Sequence, residues 1–341
     1  MTNGEQSLQL PSSVRDQMRA NGLRTGYLFL IFPVLILGLT YAGILISMLF
    51  SSDAGTQFSP LQAANEMMRT VGFWVIVAVF LYSLFSFFLG SKLLLAFAGA
   101  KPLEKRANPQ LYRIVENLSI AAGLPKTPDI YVIEDMSMNA FATGFSPADA
   151  KVAISTGLLE RLSKQEVEAV MAHEIAHILN RDTRVMLLAV TLVGAIEMIG
   201  EILIRTRWSS DDNKGNPLFF VGLLFITLGV LAGILNKLAI SREREYLADA
   251  TGGFLCSNPL ALATALEKIA GDARLEVLDG KSSMSGLCIA DPTESGHFNH
   301  GMALKNGLKE EGKRGGLVAF WQKIWSTHPP IDDRISKLRQ Y

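Results

Sequence analysis

Cysteine is nearly missing from this 341-residue chain. Only Cys256 and Cys288 occur, too few for a disulfide framework and consistent with a reducing compartment. Neither pairs with a histidine at zinc spacing. Net charge is lacking too: 32 Lys and Arg offset 32 Asp and Glu, so nothing in the balance points to nucleic acid as a partner. Histidine is scarce, with five in all, which makes the spacing of each pair informative. Charge is also absent from two long runs. Gly26 to Phe50 has none in 25 residues and Val71 to Ser91 none in 21. At about 1.5 Å per residue, both runs are long enough to cross about 30 Å of hydrocarbon. The first is longer than the apolar part of a cleavable signal peptide and is followed by a second, so both are expected to persist as anchors.

What is present reinforces the lipid reading. Hydrophobic residues make up 49% of the chain, mean hydropathy is +0.26, and the excess is gathered into blocks. Two further blocks, about 185–204 and 217–238, flank the polar loop 205–216. Glu197 and Glu201 in the third block are expensive against lipid and must face protein or water. The alternative is a helical hairpin packed inside the protein or lying at the interface. The expected organisation is a polar segment 1–25, a transmembrane hairpin 26–100 with helices at about 26–50 and 71–91, a first catalytic half 101–182, a second hairpin 183–240 and a second half 241–341. Arg15, Arg19 and Arg24 precede the first span, Lys92, Lys101, Lys105 and Arg106 follow the second, and the loop between holds only Arg69. This distribution places the N-terminus and the central region in the cytoplasm.

The central region reads as a small soluble unit. Asn108 to Gly123 is helix-like and closed by Gly123-Leu124-Pro125. Asp129 to Glu134, Ala140 to Gly144 and Lys151 to Ser155 are short, β-branched or aromatic and bounded by turn residues, so they read as strands. Ser163-Lys164-Gln165-Glu166 is a capping box, and Val167, Val170, Met171, Ala172 and Ile175 continue an apolar stripe to Asn180-Arg181-Asp182. On this helix lies His173-Glu174-Ile175-Ala176-His177. Two imidazoles four apart share a helix face and can grip one zinc ion, with Glu174 beside them as a general base.

A catalytic zinc needs a third ligand and a position for water. Ser241 to Asp249 holds Glu245 and Asp249 four apart, so one helix face can present a carboxylate to the metal and another to a ligand imidazole. Glu243 competes from a different face. Taken alone, this stretch also reads as a solvated helix laced by Arg242 and Arg244.

Together the motifs resemble the bacterial HtpX-type membrane metalloproteases, relatives of the CAAX prenyl endopeptidase. The pattern is HExxH, a membrane-spanning interval, then ExxxD. Asn139 to Gly144 is similar to the segment before the family's active-site helix, and Thr327-His328-Pro329-Pro330 with Arg334 to its C-terminal motif. Residues 1–25 and 276–320 match poorly. The resemblance implies a mainly α, integral membrane protein with about four transmembrane helices and a cytoplasmic, zincin-like (gluzincin) domain carrying a small β-sheet. It implies one Zn²⁺ per chain, held by His173, His177 and Glu245, with Asp249 behind a ligand imidazole. Glu174 is the implied base, and His328 and Arg334 are implied to assist catalysis. Asn139, Ala140 and Phe141 are implied to hold an extended substrate along a sheet edge; from the residues alone, an inner strand with a buried Phe141 fits as well. The implied setting is a multi-pass protein of the bacterial inner membrane, acting on polypeptides, misfolded or damaged membrane proteins among them. Its kinship allows a lipidated tail as substrate instead, and a non-catalytic metal-binding chaperone is the third reading.

The remaining features constrain these readings. Lys164, Glu166, Glu168, Arg181 and Asp182 surround the pentapeptide, so it belongs at or outside the membrane surface. His177 and Glu245 flank the second hairpin, so both reach one zinc only if the chain between them crosses the membrane an even number of times. Residues 280–316 are rich in glycine and serine and read as a mobile loop over the site or a linker; His297 and His300 within it are not preorganised for metal.

Overall fold

The computed structural model describes residues 12–51, 59–205, 242–270 and 329–340. These residues are mainly helical, with one small mixed sheet. They fall into two compact units, one drawn from within Met1–Leu23, Ser91–Leu187 and Lys237–Tyr341, the other from within Arg24–Gly90 and Leu188–Asn236.

The second unit is built on long apolar helices. Helix α1 (Ser12–Ser51) and helix α2 (Pro60–Phe97) outrun the expected spans 26–50 and 71–91. The stretch 12–25, expected as a separate polar segment, is the start of α1, because nothing from Ser12 onward breaks the helix before the apolar run begins. Within these helices, Met18–Leu49 and Pro60–Phe97 are long and apolar enough to cross a membrane. Their large side chains are widely exposed, Leu30 and Val34 at 70% and Trp74 at 66%, a surface that suits lipid and not water. Inside the unit, Phe32, Ile36, Leu39, Val79 and Ile196 form a small core. Tyr82 donates to the Thr191 carbonyl (2.6 Å) and Ser86 to the Thr191 hydroxyl (2.7 Å), the polar links that join helices where the hydrophobic effect is weak. Thr191 belongs to α6 (Asp182–Arg205). This helix covers the expected third block but is not among the two long and apolar enough to span. The expected fourth block, 217–238, lies outside the described residues.

The first unit holds the sheet. Strands β1 (Ala100–Pro102), β2 (Asp129–Ile133), β3 (Ala140–Thr143) and β4 (Lys151–Ser155) lie in the order β1-β2-β4-β3. β2 and β4 are parallel, whereas β1 and β3 pair antiparallel at the two edges. The three expected strands are present; β1, three residues ending in proline, has too little alternation to be read. Helix α3 (Pro109–Ala121) starts at the Asn108 cap and ends before Gly123, whose φ of +66° suits glycine. A short α4 (Thr156–Arg161) leads into α5 (Lys164–Leu179), and α7 (Arg242–Leu255), α8 (Pro259–Ile269) and α9 (Ile331–Leu338) complete the unit.

Helix α5 sits at the centre. It packs against α3, α7, α8 and β3, and every residue from Ala169 to Leu179 is buried. The apolar stripe seen in the sequence is thus one face of a helix covered on all sides, the condition under which polar side chains such as His173 and Glu174 must find internal partners.

Candidate metal centre

The ends of α5 place its histidines. At the start, the Ser163 hydroxyl accepts from the Glu166 N–H (3.4 Å) and the Glu166 carboxylate accepts from the Ser163 N–H (2.7 Å). At the end, Arg181 takes a left-handed conformation, φ +61°, and separates α5 from α6. Asp182, the first residue of α6, meets His177, with Oδ2 3.0 Å from Nδ1.

Glu174 lies within the buried stretch of α5. The third carboxylate comes from α7. Glu245 and Asp249 share its inward face and are 1% and 3% exposed, whereas Glu243 is exposed. Arg244, read from sequence as a surface partner, is buried with Nη1 3.7 Å from Asp182 Oδ1. One turn beyond Asp249, Gly252 meets the backbone of His173: a Cβ there would lie 2.9 Å from both its Cα and its N. Only a residue without a side chain permits this approach.

His173 Nδ1 lies 3.0 Å from Asp249 Oδ1 and His177 Nδ1 3.0 Å from Asp182 Oδ2. The Asp182 carboxylate is within hydrogen-bond reach of His177 Nδ1 and Asp249 pairs with His173 Nδ1, and each ring turns its Nε2 toward the other. The two Nε2 atoms are 3.1 Å apart, and Glu245 oxygens lie 3.9 Å from that of His173 and 3.7 Å from that of His177. Tetrahedral zinc with bonds of about 2.0–2.1 Å requires ligand edges of about 3.3–3.4 Å, which these distances bracket. Two imidazole nitrogens and a buried carboxylate converge on one point, and a metal cation there would take the place of the proton that His177 otherwise carries. The donor set therefore fits a zinc ion.

Arg334, on α9 and fully buried, closes the site from the far side. Its guanidinium donates to both oxygens of Asp249, Nε to Oδ2 at 2.8 Å and Nη2 to Oδ1 at 2.7 Å. Nη1 lies 3.8 Å from Glu245 Oε2. His328 is outside the described residues, as are residues 280–316 with His297 and His300. Asn139, Ala140 and Phe141 are all buried. Ala140 and Phe141 open β3, which is an edge strand and not the inner strand that the residues also allowed, and Phe141 is nevertheless buried.

Electrostatics separates the groups. Burial raises the Glu174 pKa to about 7; Glu245 adds to this, while His177, the Ala142 N–H and Arg334 oppose it. Burial alone would lower His177, but Glu245 and Asp182 raise it to about 9. His173 is lowered, by burial first and then by His177 and Arg334, against the pull of Asp249. For Asp249, burial acts upward and is outweighed by the paired Arg334 and His173, which hold it well below the usual carboxylate range.

Asp182, Arg244 and Gly252 went unread in the sequence as parts of this site. A carboxylate five residues after the second histidine, just past a helix stop, is a signal that was available for Asp182; none marks the other two.

Residues 105–341 match the model of peptidase family M48. A protein described as a protease HtpX homolog from Bacteroides fragilis is 34% identical over 338 residues, covering 96% of this chain and 98% of that protein. One from Tropheryma whipplei is 40% identical over 262 residues, covering 76% and 81%. The crystal structure of Ste24p from S. mikatae aligns at 18% identity with a TM-score of 0.43, over 96% of this chain and 66% of that one. The family match takes in both halves of the donor set and the Bacteroides match nearly the whole chain, membrane-length helices included, and by them this chain belongs to peptidase family M48, as a membrane metalloprotease.

Proposed function

We propose that the chain is a zinc-dependent endopeptidase that cleaves polypeptides, damaged or misfolded membrane proteins among them, on the cytoplasmic side of a bacterial inner membrane that it spans several times. The observation that carries the zinc reading is the buried set of His173, His177 and Glu245, whose ligand atoms all lie within 4.8 Å of one another. When bound there, zinc would lower the pKa of an attacking water and polarise the scissile carbonyl.

The chain's own residues do the rest. Asp249 and Asp182 keep the two rings in the tautomer that frees Nε2. The Glu174 carboxylate accepts the proton of the attacking water and later delivers it to the leaving nitrogen. Arg334 pins Asp249 with two parallel bonds and so orients the carboxylate behind His173. The family motif suggests His328 as the donor to the tetrahedral oxyanion.

Strand β3 supports the substrate assignment. Asn139 accepts from the Ser155 N–H, so in the antiparallel register Phe141 and Thr143 also face β4, and Ala140 and Ala142 turn their backbone groups to the outer edge, where the Ala140 N–H bonds to Asn139 Oδ1 at 2.9 Å. The Ala142 N–H bonds to Glu174. A peptide added to that edge therefore runs beside the proposed base.

Purified full-length protein in detergent tests the assignment. Glu174→Gln keeps the zinc stoichiometry of the parent and loses casein hydrolysis by at least about 100-fold; hydrolysis at the parent rate would refute Glu174 as the base. Glu245→Ala loses zinc. Retention of full stoichiometry would move the third ligand, with Glu243 next in line.

A further inference from the structure

We propose that Asn21, on the helix that carries the first apolar run, is a positioning residue of the metal centre: it holds the Asp182 carboxylate that orients His177. The inference rests on the zinc reading above and adds to it an element far from the motifs in sequence.

Asn21 is 1% exposed. Its Nδ2 donates to the Asn180 carbonyl at 2.9 Å and to Asp182 Oδ1 at 2.7 Å. An amide nitrogen carries two N–H groups, one for each acceptor. Those acceptors flank Arg181, the non-glycine residue held at φ +61°, a conformation that persists only where its surroundings impose it. Asn180 caps α5, and its carbonyl is among those that the helix end leaves without an intrahelical partner. Asp182 opens α6. One side chain thus staples the cap residue of α5 to the first residue of α6.

The consequence reaches His177 through the carboxylate. Asp182 gives Oδ2 to His177 Nδ1 at 3.0 Å, while Oδ1 receives Asn21 at 2.7 Å and faces Arg244 Nη1 at 3.7 Å. The carboxylate is therefore held by partners from α1, α5 and α7. Of the two on Oδ1, only Asn21 lies within hydrogen-bond distance. If it is lost, Asp182 is free to turn toward Arg244, and the His177 ring follows its Nδ1 partner. Asparagine suits the position because it supplies two donors without adding charge to a pocket that already holds Asp182, Glu245 and Arg244.

The test uses full-length, metal-stripped protein in detergent, with the zinc dissociation constant measured by chelator competition and the visible bands of the Co²⁺-loaded protein recorded alongside. Asn21→Leu keeps the volume and removes both donors. It weakens zinc binding by about 10–100-fold, the usual loss when a partner behind a metal ligand is removed, and shifts the Co²⁺ bands. Asn21→Ser, smaller and polar, is held to the same comparison if leucine prevents folding. In an Asp182→Ala background, the same Asn21 change has no further effect, because both act on one ring. A dissociation constant within about twofold of the parent overturns the proposal, and so does a full additional loss in the Asp182→Ala background. His177→Ala separates the two levels: if it leaves zinc affinity unchanged, the zinc reading itself fails. If it abolishes binding while the Asn21 variants bind normally, only the positioning role fails.

Discussion

His173 and His177 sit on one helix face yet differ in charge. Asp249 behind His173 shares its charge with Arg334, whereas His177 faces both Asp182 and Glu245. In the metal-free protein His177 is raised to about 9, the net of burial acting downward and the two carboxylates acting upward, so it is protonated at neutral pH. A metal must displace that proton. Zinc affinity is expected to rise with pH up to about 9 and then level off, with proton release measurable by calorimetry in buffers of different ionisation enthalpy. Stability follows the same shift with the opposite sense. A raised folded-state pKa contributes stability present in full below the unfolded value of about 6.5 and lost as pH rises through about 9. Metal-free protein should therefore melt lower at pH 9 than at pH 6, a trend that zinc removes. Arg334→Ala strands the buried Asp249 charge and is expected to cost about 3–5 kcal/mol in thermal unfolding. Arg334→Lys does not restore the parent, because an ammonium cannot make the paired bonds to both oxygens.

At the scale of elements, the decisive contact is that of α7 with α5. Glu245, Asp249 and Gly252 line one face of α7, so the helix that supplies the third carboxylate also approaches His173 most closely where it has no side chain. Gly252→Ala forces a Cβ to within 2.9 Å of the His173 backbone, and neither backbone has a flexible end to give. The expected cost is about 1–3 kcal/mol, together with weaker zinc binding as Glu245 is pushed outward, both measurable on the purified variant. Gly72→Ala in α2 is the contrast: its Cβ meets only the Met68 side chain, at 3.4 Å, and the helix gains intrinsic stability. Much at this scale was legible in the sequence. The Ser163 capping box and the Asn108 cap act within four residues, and α3, α5 and three strands follow from such local signals. Short β1 and α4 carry no comparable periodicity and went unread.

For the whole molecule, the donor set constrains topology. The chain between His177 and Glu245 must bring both to one point, so it crosses a membrane an even number of times or not at all. Glu134 and Glu243 are both exposed in the first unit. With Cys256 and Cys288 replaced, Glu134→Cys and Glu243→Cys should be labelled by a membrane-impermeant thiol reagent from the same side of the bilayer, the cytoplasmic one. Labelling from opposite sides would contradict a shared metal. The exposed apolar surfaces of α1 and α2 further predict that the protein stays in the membrane pellet after alkaline extraction and is released only by detergent.

The sequence by itself determined what short-range physics encodes: two imidazoles four apart on a capped helix, charge-free runs of membrane length, and strands marked by alternation and turn residues. It also narrowed the third ligand to one short stretch, because Glu243 and Glu245 lie on different faces of the same helix. Only the tertiary structure turns Glu245, and not Glu243, toward the two histidines, where the Gly252 approach and Arg334 from α9 fix the face of α7 against α5. Tertiary structure likewise buried α5 on every side, made β3 an edge strand, and brought Asn21, Asp182 and Arg244 together behind His177. These are contacts between residues up to 161 positions apart. No local pattern records them, because each depends on how distant elements share one core.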